Sequence, residues 1–323
     1  MEPVDRRDFI KTVAGTTAFA SLEGRGAMPP AAGPVFLSTW VTGKPAIERA
    51  VEVLKSGGSL LDAIEKGINL TEDDPNTTSA GIGGLPNAEG EVELDAMIMD
   101  GTRHRAGSVC SLRKIKNPIS VARMVIEKTR HTTLAGEGAF QFAVKMGFEP
   151  QCLLTTEGLQ KWQAWKADPH HKTFWVSPEN HDTIGMVGVD GNGHVAGGCS
   201  TAGLPFKIPG RVADAPLVGC GMYADDNVGA ASATGDGDLM INYCTSISIV
   251  HLMARGASPQ DACMELLKHM VKTDAKNKDG MVGVIAINAR GEVGAASMNE
   301  SFPLKYALWR EGESQVLEAV KLI

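Results

Sequence analysis

The chain has 323 residues, 43% of them apolar and 21% charged, with a net charge of −7. That composition excludes wholesale disorder, and the acidic balance excludes wrapping of a polyanion, so nucleic acid is not an expected partner. At roughly 150 residues per domain the length admits two domains or one large one, and past the N-terminus no run approaches the roughly 18 apolar residues of a membrane helix.

The first elements read as an address. Asp5-Arg6-Arg7-Asp8-Phe9-Ile10-Lys11 precedes a mild apolar stretch from Thr12 to Leu22, which resembles a twin-arginine export signal. Residues 23–34, rich in Gly, Ala and Pro, read as cleavage region and linker. Residues 1–30 are therefore set apart as signal and linker. The expected location is periplasmic or secreted, with no membrane contact after signal removal.

A short strand follows at Val35–Thr39, ending in Ser38-Thr39-Trp40. Helical periodicity covers Pro45–Lys55, with Pro in the first turn, and Ser59 is placed to cap a second helix from Leu60 to about Leu70. Gly81-Ile82-Gly83-Gly84 is a glycine-rich turn. Strands are predicted at Val92–Met99 and Ala106–Ile115, then helices at Ile119–Lys128, Gly138–Met146 and Glu157–Ala167. A polar loop spans residues 168–180. Strands are predicted next at Thr183–Val189, His194–Cys199 and Leu217–Tyr223, and two long helices at Leu239–Ala254 and Pro259–Val271. Met281–Asn288, Val293–Met298 and Lys305–Trp309 read as closing strands. Each half is strands plus paired helices, which implies an α/β fold: one domain over residues 31–323, with two sheets between two helical layers in a four-layer αββα sandwich.

The six cysteines, Cys110, Cys152, Cys199, Cys220, Cys244 and Cys263, contain no CxxC spacing. Several read as small core residues, and their scatter in a chain large enough to build its own core argues against a disulfide framework. His170-His171 has no partner at ligand spacing and reads as solvated surface, so no metal is assigned. Asp236-Gly237-Asp238 lacks the rest of a calcium loop and suits the start of a helix. Gly219-Cys220-Gly221-Met222-Tyr223-Ala224 fits a loose dinucleotide pattern, but Asp225-Asp226-Asn227 follows where a helix should.

Asn180-His181-Asp182-Thr183-Ile184-Gly185-Met186-Val187 carries more information. A polar loop runs directly into an apolar strand whose first residue is Thr183. A β-branched residue opening a strand needs no further explanation. The sharper reading is a latent nucleophile: a threonine hydroxyl needs a base, and its own α-amine serves if the preceding bond is cut. A free α-amine titrates near 7.7–8.0, poised to take a proton near neutrality. Downstream, Cys199-Ser200-Thr201-Ala202-Gly203 offers a second hydroxyl. Gly210-Arg211-Val212-Ala213-Asp214 offers a fork for a carboxylate and a seat for an ammonium, complementary to a free amino acid. Ala233-Thr234-Gly235-Asp236-Gly237 supplies a hydroxyl and backbone N–H groups suited to an oxyanion.

Taken in order, His-Asp-Thr-Ile-Gly-Met, Ser-Thr-Ala-Gly, Gly-Arg-Val-x-Asp and Ala-Thr-Gly-x-Gly-Asp resemble the glycosylasparaginase family of N-terminal nucleophile hydrolases. Leu37-Ser38-Thr39-Trp40, Glu72-Asp73-Asp74-Pro75, Leu94-Asp95-Ala96 and Lys116-Asn117-Pro118-Ile119-Ser120-Val121-Ala122-Arg123 extend the resemblance from about residue 35 to the C-terminus. It implies the αββα fold and self-cleavage of the Asp182–Thr183 bond into an α chain ending at Asp182 and a β chain starting at Thr183. It implies Thr183 as nucleophile, Thr201 supporting its hydroxyl, Thr234 and Gly235 as oxyanion hole, Arg211 on the substrate α-carboxylate and Asp214 on its α-ammonium. Trp40 lines the pocket and Ser79 stands behind it. The substrate implied is a glycosylated asparagine, with no metal or organic cofactor, and the assembly a dimer of αβ units. Two positions depart from the family pattern, Ala213 for glycine and Ala215 for serine, leaving the loop around Asp214 in question. Plant-type asparaginases and isoaspartyl peptidases share this nucleophile logic but typically carry Gly-Thr-Val-Gly at the nucleophile. An exported amino-acid or glycan-binding protein is the non-catalytic alternative, in which Thr183 has no role.

Overall fold

Strand alternation decides the layers. In the computed structural model the described residues are 33–171 and 183–323; the export signal, the linker to residue 32 and the His181-Asp182 half of the threonine motif lie outside them. In β1 (Val35–Thr39), Phe36 faces one apolar cluster while Val35 and Leu37 face another. In β2 (Leu94–Asp100), Ala96 and Ile98 join the first cluster, Met97 and Met99 the second. A strand whose two faces are both apolar belongs in the middle of a layered structure.

The first sheet adds β3 (Arg105–Leu112), β4 (Thr133–Ala135), β5 (Ile184–Val189) and β6 (Val195–Thr201). The second holds β7 (Met222–Asp225), β8 (Gly229–Gly235), β9 (Val282–Asn288) and β10 (Val293–Ser297). Two further strands, β11 (Lys305–Arg310) and β12 (Glu313–Glu318), return to the first sheet, and β13 (Val320–Lys321) closes the second. Among the described residues the orders are β12-β11-β1-β5-β6-β2-β3-β4 and β13-β10-β9-β8-β7.

Helices α1 (Gly43–Lys55), α2 (Leu60–Glu72) and α3 (Pro118–Lys128) cover the outer face of the first sheet through Ile47, Ile64 and Ile119. Two more, α4 (Gly136–Lys145) and α5 (Thr156–Ala167), precede β5. After the short α6 (Gly237–Asn242), α7 (Thr245–Ala254) and α8 (Pro259–Thr273) cover the second sheet through Ile249, Leu266 and Leu267. Between the sheets lie Leu37, Met97, Val187, Ile285 and Ile287. The expected four-layer sandwich is therefore present. Ser59 caps α2 as expected: its hydroxyl accepts from the Asp62 N–H, and the Asp62 carboxylate accepts from the Ser59 N–H.

Three expectations change. The chain halves do not map onto the sheets, because β5, β6, β11 and β12 join the sheet built by the N-terminal strands. Gly229–Gly235, for which no element was predicted, is a further strand that lies between β7 and β9 and faces the first sheet where a Cβ on Gly185 would run into the Ser232 hydroxyl. Leu239–Ala254 is not one helix: Cys244, at φ 44°, turns the chain between α6 and α7. The Leu217–Tyr223 strand also begins late, at Met222, after a turn through Gly221. All six cysteines are free, Cys152 and Cys244 being the exposed ones.

Candidate active site

Thr183 is buried immediately before β5, beside the end of β1. The Thr39 hydroxyl donates to the Thr183 carbonyl at 2.7 Å and accepts from the Gly185 N–H at 2.8 Å, while Ser38 Oγ donates to the Gly185 carbonyl at 2.9 Å. Two hydroxyls thus hold the backbone on either side of Ile184 (a buried polar contact unavailable to apolar residues at 38 and 39). The chain then reverses at Trp40, whose φ of 63° is a costly left-handed conformation for a bulky residue. That turn sends the indole across to the second sheet, where Nε1 donates to Thr234 Oγ1 at 3.1 Å. Phe302 meets the indole edge-on, with centroids 5.3 Å apart. The Ser38-Thr39-Trp40 turn therefore touches Thr183 with one residue and Thr234 with the next.

Thr201 ends β6. The pairing of Ile184 with Ser200, carried one step further, sets Thr183 opposite Thr201. Thr201 Oγ1 accepts from the Gly203 N–H at 2.9 Å, and the Ser79 carbonyl accepts from the Ala202 N–H at 2.5 Å. Ser79 thus acts on this corner through its backbone. Beneath it, Ser200 Oγ donates to Glu72 Oε1 at 2.7 Å. Glu72 is sealed in the interior, and burial pushes its carboxyl up to about 7 against the hydrogen bonds that favour the ion. Gly235 closes β8 at φ 120°, where a Cβ would strike the Met281 carbonyl, so only glycine fits beside Thr234.

Arg211 and Asp214 lie on the loop after Gly210. Burial pushes Asp214 up to about 7, with the Arg211 charge opposing the shift. Asp214 Oδ2 and Arg211 Nε are both buried and have no hydrogen-bond partner among the described residues. Arg211 Nη2 meets Asp238 Oδ2 at 2.6 Å. The two departures from the family pattern are accommodated: Ala213 is buried against Gly237, and Ala215 joins the core between the sheets. Gly237 must be glycine, since a Cβ there would run into the Asp214 carboxylate. The Asp236 side chain accepts from the Leu239 N–H at 3.1 Å, the helix-start role expected of it.

Sequence reasoning missed several neighbours. Lys207 is buried, with Nζ 3.3 Å from Asp95 Oδ2, and a Cβ on Gly203 would sit 3.0 Å from that Nζ and 3.2 Å from Arg211 Nη1. Two cations therefore flank Gly203. Asp238, Phe302 and the Ser200–Glu72 pair were also missed. Lys207 stands four residues before Arg211, and Glu72, Ser200 and Asp238 lie in motifs already noted, but nothing local tied any of them to these partners. His170-His171 proves local: the His171 ring packs on Trp165 with centroids 4.5 Å apart. Among the described residues no group of three or more His, Cys, Asp or Glu could hold a metal ion, and no helix is long and apolar enough to cross a membrane.

Face-to-face sheets enclosed by two helical layers are the architecture of the N-terminal nucleophile hydrolases. The chain belongs to the asparaginase family whose pattern matches residues 41–316. It is 44% identical over 310 residues to an N(4)-(β-N-acetylglucosaminyl)-L-asparaginase of Elizabethkingia miricola, covering 92% of this chain and 91% of that one. Enzymes of the same name from Rattus norvegicus and Mus musculus are 41% and 40% identical over 292 and 293 residues, each alignment covering 81% of this chain and 84% of theirs.

Proposed function

We propose that this protein is a self-processing amidohydrolase that cleaves the β-amide bond between N-acetylglucosamine and the side chain of free asparagine. Family membership and the printed activity of the relatives support this reading. The observation that carries it here is the Ser38-Thr39-Trp40 turn, which bonds to both Thr183 and Thr234.

In the precursor the Thr183 hydroxyl attacks the Asp182 carbonyl carbon, the scissile C–N bond becomes an ester by N-to-O acyl shift, and water hydrolyses the ester. The α chain then ends at Asp182 and the β chain begins at Thr183. The freed amine takes the Thr183 hydroxyl proton, with Thr201 supporting that hydroxyl, and Oγ attacks the substrate's side-chain amide. Thr234 and Gly235 stabilise the oxyanion. The glycosylamine leaves with the proton, and water releases aspartate from the β-aspartyl ester. Arg211 receives the α-carboxylate and Asp214 the α-ammonium, while Trp40 walls the pocket. The chemistry uses groups of the chain and water. Residues 31–323 form one domain, exported through the twin-arginine-like signal and paired as a dimer of αβ units.

Purified precursor should separate into two fragments on denaturing electrophoresis, with a new N-terminus at Thr183, and Thr183→Ala should stay whole. Cleavage of Thr183→Ala at the same bond overturns the mechanism. Values of kcat/KM for GlcNAc-Asn, free asparagine and a β-aspartyl dipeptide should rank GlcNAc-Asn first. An internal peptide asparagine, leaving Arg211 or Asp214 unpaired, should react roughly 10⁴-fold less well. A β-aspartyl dipeptide as the best substrate replaces this reading with an isoaspartyl peptidase.

A further inference from the structure

Two cysteines outside the proposed chemistry are brought together at the edge of the amino-acid loop. Cys220 is buried in the turn before β7; its N–H donates to the Leu217 carbonyl at 2.9 Å. Its own carbonyl accepts from Ser246 Oγ at 2.7 Å and from the Ser246 N–H at 3.3 Å, and the Ile247 N–H donates to the Gly219 carbonyl at 2.9 Å. Those bonds fasten the turn to the first residues of α7. Cys244, two residues before Ser246, is exposed and held at φ 44°, a left-handed conformation that costs a non-glycine residue energy. The bonds from Ser246 and Ile247 bring Cys244 up to the turn that carries Cys220, near enough for the two thiols to influence one another. Burial, reinforced by Cys244 and by the nearby Asp214 carboxylate, pushes the Cys220 thiol up to about 12. The pair therefore has one accessible thiol and one protected thiol.

We propose that Cys220 and Cys244 are a reversible disulfide pair. The exposed Cys244 thiolate attacks a disulfide donor such as oxidised glutathione, forming a mixed disulfide and expelling one glutathione thiolate. The Cys220 thiol then loses its proton and attacks the Cys244 sulfur, expelling the second glutathione. The protein thiols give up two electrons and two protons, and the donor is reduced to two thiols. The bond ties the turn beside Asp214, whose carbonyl accepts from the Leu217 and Gly221 N–H groups at 2.9 and 3.0 Å, to the corner just past α6. That short helix carries Asp238, the partner of Arg211. Both ends of the loop proposed to hold the amino-acid end of the substrate are thereby clamped. The disulfide does not depend on Thr183 being the nucleophile.

The test uses purified full-length protein carrying Cys152→Ser, which removes the other exposed thiol. Treatment with oxidised glutathione at alkaline pH should reduce the thiol count under denaturing conditions by two. Non-reducing peptide mapping should join the Cys220 and Cys244 peptides. The melting temperature should rise by roughly 3–8 °C and fall back on addition of dithiothreitol. Cys244→Ser in the same background, a change at an exposed position, should leave the thiol count and the melting temperature unmoved. A count that does not fall, or glutathione retained on Cys244 without the internal bond, overturns the proposal.

Discussion

Glu72 and Asp214 are both sealed from water and both pushed up to about 7 by burial, yet the fold treats them differently. Around Glu72 every oxygen is met: Ser200 Oγ and the Ile119 N–H donate to Oε1 at 2.7 and 3.1 Å, and Asn69 and Asn117 donate to Oε2 at 3.0 and 3.3 Å. Asp214 keeps Oδ2 without a partner among the described residues, and the neighbouring Arg211 has a buried, unpartnered Nε. An orphaned buried polar atom typically costs about 1–3 kcal/mol, so its persistence is a statement about what is to come. One acid is completed by the protein and serves architecture; the other keeps an open oxygen, the one the proposed function gives to the substrate ammonium. Equal titration behaviour therefore does not imply equal roles, and the hydrogen-bond inventory separates them.

The largest expected effect bears on the unfinished acid. Asp214→Asn keeps the shape and removes the charge, and kcat/KM for GlcNAc-Asn in processed enzyme should fall by the equivalent of about 2–5 kcal/mol. Its urea midpoint at pH 8 should be unchanged or higher, since a buried carboxylate is gone. Unaltered kcat/KM would erase the contrast with Glu72.

Glu72→Ala should do the reverse. It leaves the Ser200 hydroxyl and the Ile119 N–H buried without the carboxylate, while Asn69 and Asn117 keep Ser120 and Asp73 as acceptors, and stability should fall by about 2–4 kcal/mol in urea denaturation. A loss under about 1 kcal/mol would mean that Glu72 is not the anchor between α2, α3 and β6.

The pH dependence of stability follows next in size. The ordinary values are 4.5 for Glu72 and 3.8 for Asp214, so between those and about 7 the folded state holds protons that the unfolded state has released. Their contribution is fully present below about 4 and is lost as pH rises through 7, on the order of a few kcal/mol in all. The urea midpoint should be higher at pH 5.5 than at pH 8, and Asp214→Asn should flatten that slope. A midpoint that rises with pH in the wild type contradicts the burial assignment for both acids.

The smallest effect belongs to ligand binding. If ionised Asp214 meets the ammonium as proposed, aspartate affinity should weaken about tenfold per unit as pH falls below 7. Calorimetry in buffers of different ionisation enthalpy should show about one proton released on binding at pH 6 and almost none at pH 8. Equal proton release at both values would place the ammonium elsewhere.

The sequence alone was sufficient for whatever local chemistry controls. The apolar run Val35–Thr39, the Ser59–Asp62 capping box and the Pro that opens α3 each specify their element through neighbours a few residues away. The ordered motifs around Thr183, Thr201, Arg211, Asp214 and Thr234 could be proposed as a site because hydroxyl and charged side chains stood out in otherwise plain strands and turns. Tertiary structure decided the rest. Gly229–Gly235, rich in glycine and alanine and without a predicted element, is an interior strand of the second sheet, where a Cβ on Gly229 would strike the Ile287 carbonyl of its neighbour. Cys244 breaks an apparently continuous helix because the chain must turn there between α6 and α7, a demand invisible in helical periodicity. The completed Glu72 site draws partners from positions 69, 117, 119 and 200, and the Arg211–Asp238 pair spans 27 residues. Such contacts depend on burial and on which surfaces meet, and no short-range pattern encodes them.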